Sequence, residues 1–302
     1  MKTLIAFLMI ASFVITTQAA VPAKNSEVPR IGRQGLRTPG ANRHKSGSTY
    51  GIKKNSLRWA SRAGVIDELG GSAETEAAVE KALDWLTKNQ KDDGHWEETS
   101  SKVAHTGLAI LCYLSYGVVP ADDSVKPTGV KPTEERPEMK IHAEALSKGL
   151  NWLKDQVSES GDMRDGGRMY DQSIGTLALG EAYGITGNEK LRLPLERATS
   201  LLIEAQNSET GGWRYQPHST TTDLSVSGWV IMALRSAEMA RVILRNNTIG
   251  KSEKFLDSVG AGKHKGKYGY KSPVPTDTMT AVGMYCQQLF GAKPNSYRQI
   301  ES

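Results

Sequence analysis

The sequence predicts an all-α protein, an array of about four helical hairpins arranged in two layers. Three observations lead there. First, one stretch returns in weakened form. Residues 81–96 read K-A-L-D-W-L-T-K-N-Q-K-D-D-G-H-W, and 148–156, 197–213 and 251–259 echo them. Their anchors Trp85, Trp152, Leu201 and Phe255 lie roughly 50 to 70 residues apart, a spacing that marks a repeat architecture. Second, each copy leads through a glycine-containing turn and an aromatic residue into a second, more apolar helix. Third, the period-two alternation of half-buried strands is nearly absent.

The elements follow in order. In residues 77–90, Val79, Ala82, Leu83 and Leu86 fall at i, i+3, i+4 and i+7 with Trp85 beside them, the stripe of an amphipathic helix. The turns read Asp93-Gly94, Asp165-Gly166-Gly167, Gly211-Gly212 and Gly266; glycine supplies the backbone freedom a helix stop needs. The aromatics are Trp96, Tyr170, Trp213 and either Tyr268 or Tyr270. The apolar helices are then expected over 103–116, 171–183, 223–239 and 277–290. Asp171, Asp223 and Asp277 stand at or near their starts, where a carboxylate accepts orphan N–H groups. Three of these helices are expected to end at Tyr116-Gly117, Tyr183-Gly184 and Phe290-Gly291. A nearly apolar helix is covered on most sides, so the half-polar ones are expected to wrap outside it.

Residues 81–96 carry [KR]-[GA]-x-x-[FYW]-[LI]-x-x-x-Q followed by G-x-W. This resembles the repeat signature of the squalene cyclases, whose superfamily of α/α toroids includes the protein prenyltransferase β-subunits. Residues 197–213 match except at Leu201; the second copy has a short Gln spacing and the fourth lacks Gln. The resemblance covers about residues 74–291. It implies an (α/α) toroid or partial toroid with two concentric layers, in which the Gln ties neighbouring repeats. Complete toroids of this superfamily have about five to seven hairpins. Four are found here, which implies an open arc unless residues 56–68 close it, and suggests a shortened relative, self-association or a partner that completes the ring.

The domain is flanked by different material. Lys2 and the apolar run 4–15, with Thr17-Gln18-Ala19 as a cleavage site, read as a signal peptide over residues 1–19, too short for a membrane span. A secreted or periplasmic protein is expected, with no further membrane-spanning segment. Residues 20–70 read as a basic linker. Within it, 21–64 hold ten Lys and Arg against Glu27 alone, about +9, whereas the whole chain is +5. With Lys2 set aside as well, the remainder is near −5. Two readings stand for the linker, a solvated tether or an adhesive for an anionic surface. Nucleic acid is disfavoured by the export signal and the lack of interleaved aromatics. The repeat domain is assigned to 71–291, with a Pro-rich insertion at 118–140 and a tail at 292–302. Cys112 and Cys286 align on two apolar helices and read as small core residues.

The resemblance also sets tests for chemistry. Squalene-type cyclases protonate an alkene with the central Asp of Asp-x-Asp-Asp-Thr-Ala; here the stretch is Thr220-Thr221-Thr222-Asp223-Leu224-Ser225, and the donor slot reads Thr222. A hydroxyl is too weak an acid for that step. Asp223 is the remaining catalytic candidate, with helix capping as its alternative role. The prenyltransferase zinc ligands are replaced, Val226 standing in the His slot and Asp277-Thr278-Met279 in the Asp-x-Cys pattern. His105 and His218 have no partner at ligand spacing, so no zinc or other cofactor is expected. The Cys-Gly-Glu-Gln run of toroidal thioester domains is absent. Glu181 in an apolar helix needs a partner or water. Tyr113, Tyr116, Tyr183, Trp229 and Tyr285 are either core or a stacking surface. The ligand candidates are Asp171, Glu181, Trp229 and Asp277. The expected function is an exported module that binds an apolar, isoprenoid-like ligand or a protein partner. The alternative is a terpenoid cyclase or isoprenoid transferase with a displaced carboxylate.

Overall fold

The computed structural model describes residues 71–97, 100–121, 137–293 and 295–302. The signal peptide and the whole basic linker lie outside them, as does most of the Pro-rich insertion. The described chain is α-helical. Amphipathic helices α1 (Ala73–Lys88), α3 (Pro137–Asp155), α5 (Arg192–Glu204) and α7 (Thr248–Ser258) alternate with apolar helices α2 (Lys102–Tyr116), α4 (Met169–Thr186), α6 (Leu224–Met239) and α8 (Asp277–Leu289). A 3-10 turn, Glu189–Leu191, leads into α5, and a short helix α9 (Tyr297–Glu301) follows α8. One two-residue antiparallel pair, β1 (Gly260–Ala261) and β2 (Lys267–Tyr268), frames the fourth turn. Among the described residues no helix is long and apolar enough to cross a membrane.

The apolar helices pack on one another in chain order, α2 on α4, α4 on α6 and α6 on α8. The amphipathic helices lie against them. Helix α3 touches both α2 and α4, and α5 touches both α4 and α6, so each covers the seam between its own partner and the one before. Two clusters of buried side chains fill the space between, one around Ile110, Leu146 and Leu179, the other around Trp213, Leu234 and Phe255. Helices begin where caps dictate. At α1, Ser72 and Thr75 exchange side-chain and backbone bonds in a capping box, which starts the helix six residues before the apolar stripe begins at Val79. Helix α4 runs past Tyr183-Gly184 to Gly187, which stops it at φ +62°.

One joint is repeated four times. In each repeat the residue two after a turn glycine donates its backbone N–H to a side chain on the apolar helix that follows. Trp96 donates to Thr106 at 3.1 Å, Met163 to Gln172 at 3.1 Å, Trp213 to Ser227 at 2.9 Å and Tyr268 to Thr280 at 3.0 Å. The glycines are Gly94, Gly161, Gly211 and Gly266. A Cβ on any of them would collide with the carbonyl of a basic residue in the next amphipathic helix, Lys148, Arg197, Lys251 and Arg298 respectively. Glutamines lock these joints. Gln90 Nε2 donates to the carbonyls of Gly94 and Ala145, both at 2.8 Å. Gln206 Nε2 does the same to Gly211 at 2.8 Å and Thr248 at 3.0 Å. The indoles of Trp96 and Trp213 donate to Leu86 and Leu202 at 2.8 and 2.7 Å.

This corrects the second repeat. Its turn is Gly161 with Met163 in the aromatic slot, not Asp165-Gly166-Gly167 with Tyr170. Gln156 only folds back on Trp152, and Gln172, from α4, takes the tying role, donating to Gly161 and Ala198. In the fourth repeat the slot is Tyr268, not Tyr270. Residues 292–302 include α9, whose Gln299 bonds Gln287 at 2.8 Å and Gln288 at 2.9 Å, so this segment is packed rather than a plain tail.

Candidate functional site

Counting from the repeated anchors places equivalent residues side by side. Five residues after Thr106, Gln172, Ser227 and Thr280 stand Leu111, Leu177, Met232 and Tyr285. All four are partly buried apolar residues at the edge of the core. Equivalent positions place them in a row across α2, α4, α6 and α8, on the face of each helix that the other described elements leave partly open. Trp229, one turn before Met232, is half-buried on the same face. One end of this face is polar: Tyr170 and Ser225, equivalent residues on α4 and α6, meet hydroxyl to hydroxyl. Towards the other end Ser236 donates to Glu181 at 2.9 Å, tying α6 to α4.

Beyond the polar end lies a cluster around Asp223. Its side chain is fully buried. Asp223 is the N-cap of α6, with Oδ1 accepting the Val226 N–H at 2.9 Å. Oδ2 accepts the Tyr270 hydroxyl at 3.1 Å and lies 3.7 Å from Arg214 Nη1. Tyr270 has one proton and gives it to Asp223, so in the Tyr215–Tyr270 bond of 2.7 Å the Tyr215 hydroxyl is the donor. The guanidiniums of Arg168 and Arg214 stand 5.1 and 5.0 Å from the Tyr215 ring centre, within cation–π range. Burial first, then the bond from Tyr215 and the Asp223 charge, push the Tyr270 phenol above the ordinary tyrosine range. Burial raises Tyr170 likewise.

Every close neighbour of the Asp223 carboxylate is a hydrogen-bond donor or a cation. The group is arranged to receive hydrogen bonds, the opposite of what alkene protonation asks. Asp171 is not an N-cap but the third residue of α4, 2% exposed, where Oδ2 accepts the Arg168 N–H at 3.0 Å. Asp277 is the first residue of α8 and exposed, and Thr276 does the capping. The three aspartates therefore occupy three different cap positions, because they stand one, four and three residues before the equivalent anchors Gln172, Ser227 and Thr280. Tyr113 faces the outer layer, bonded to Thr87, and Tyr116 donates to Glu80; both pin α2 to α1. Tyr183 donates to Glu189. A cavity of about 270 Å³ lies elsewhere, among Pro120, Leu150, Asn151, Asn188 and Leu191.

Sequence reasoning missed Tyr215, Tyr270 and Arg214 as a group. A signal existed: Trp213-Arg214-Tyr215 and Tyr268-Gly269-Tyr270 place a second aromatic two residues after the slot, 55 residues apart. Both cysteines are buried and free, their thiols pushed up to about 12 by burial. Among the described residues no three His, Cys, Asp or Glu side chains converge as metal ligands would.

No known family's sequence model matches the chain. Among curated proteins it is similar to thioester-containing protein 1 of Anopheles gambiae, in its S3 and S1 alleles, at 26% identity over 170 residues. That covers 54% of this chain and 10% of the mosquito protein. The chain thus spans about a tenth of the length of the curated relatives it matches.

Proposed function

We propose that this chain is an exported, non-catalytic repeat module of the α/α-toroid type, and that it holds an apolar, isoprenoid-like ligand on the exposed face of α2, α4, α6 and α8. The observation that carries this reading is the row Leu111, Leu177, Met232 and Tyr285, with Trp229 beside it. Apolar side chains at equivalent positions of four successive helices, left partly open, form a surface that gains free energy when covered, about 25 cal/mol per Å² of apolar area. The donors around Asp223 support a structural role for it. The thiols support a scaffold without a thioester: a nucleophilic thiolate is needed to form one, and Cys112 and Cys286 are buried with raised pKa values.

The test is extraction of the purified full-length protein, with mass spectrometry of what co-purifies, alongside squalene conversion by wild type and Asp223→Asn. An apolar molecule retained near one per chain, lost in Leu177→Asp, is the expected result. Squalene turnover abolished by Asp223→Asn overturns the non-catalytic reading.

A further inference from the structure

We propose that the outer edge of α1 is the helix half of one more repeat joint, and that residues 56–66 of this same chain complete it. In α3 and α7 the face that meets the preceding turn is buried. Ala145, Gly149 and the Lys148 carbonyl of α3 lie under Gly94, Trp96 and Gln90, and Trp152 stacks on His95 at 5.1 Å between ring centres. In α7, Thr248 is 1% and Phe255 2% exposed, beneath Gln206 and Gly212. The matching residues of α1 are Ala78, Lys81, Ala82 and Trp85. Among the described residues nothing precedes α1 to cover them: Ala78 is exposed and Trp85 is 46% exposed.

Two features choose the occupant. Residues 56–66 carry Leu57, Trp59, Val65 and Ile66 and end in Gly64-Val65-Ile66, the glycine-x-apolar order of the four joints. The tether is long enough. Residues 67–72 extended reach about 20 Å, and Trp85 lies about 18 Å along α1 from Ala73.

The experiment is hydrogen–deuterium exchange on the full-length protein after signal removal, with sedimentation velocity in parallel. Amides of 57–66 are expected to exchange at least about tenfold more slowly than an unstructured peptide. That protection is expected to vanish in Trp85→Ser and in Gly64→Val, where a Cβ would meet the facing helix as it would at the other joint glycines. Gly64→Val leaves the described repeats untouched, so it remains readable if Trp85→Ser loosens α1. Exchange of 57–66 at the unstructured rate in the wild type overturns the proposal. So does a wild-type dimer that Trp85→Ser makes monomeric, which assigns the edge to a second copy.

Discussion

Asp223 shows how one residue carries several joints. It caps α6, anchors the Tyr215–Tyr270 chain and sits beside Arg214. Tyr270→Phe removes the charge-assisted bond to Asp223 and the acceptor of the Tyr215 hydroxyl, and is expected to cost roughly 1–3 kcal/mol of unfolding free energy, read from urea melts. Asp223→Ala loses the cap as well and is expected to cost more than Tyr270→Phe. The cysteines give a pH dependence. Their folded pKa is raised, so folding favours the protonated thiol. That stability is complete below the unfolded value near 9, and is lost as pH rises from there towards about 12. Thermal midpoints are therefore expected to fall above pH 9, and iodoacetamide at pH 8 is expected to label both thiols only after unfolding. At this scale the sequence was legible where the residue type dictated its surroundings, as for the buried cysteines and the capping Asp223. It was not legible where partners come from different repeats. Nothing local to Tyr215 announces that its hydroxyl meets Tyr270, or that Glu181 is taken by Ser236.

At the scale of elements, the turn glycines are the stiffest points. Gly211 sits at φ +80° against the Lys251 carbonyl, whereas Gly187, at φ +62°, faces open space. Gly187→Ala is expected to cost about 1 kcal/mol, the left-handed backbone penalty alone. Gly211→Ala adds a collision with main chain that cannot rotate away, so a loss above about 3 kcal/mol is expected, measured by the same melts. Helix positions were readable because the stripe of Val79, Leu83 and Leu86 and the apolar run of α6 are strong periodic signals. Boundaries were less so. Ser72 and Thr75 start α1 before its stripe, and α4 passes Gly184 because that glycine lies in its interior. The second turn was misplaced because Gly166-Gly167 is the stronger glycine signal, while the working joint uses a lone Gly161 and replaces the aromatic by Met163.

At the scale of the molecule, α2, α4, α6 and α8 follow one another with the same joint between repeats, and that regularity aligns Leu111, Leu177, Met232 and Tyr285 into one surface. A charged side chain in the row is expected to abolish ligand retention with little loss of stability, because these residues border the core without filling it. The most direct check is mass spectrometry of the apolar extract from wild type, Leu177→Asp and Met232→Asp, purified side by side. The account predicts one apolar molecule per wild-type chain and none in either variant. Equal retention by all three, or an empty wild-type protein, contradicts it.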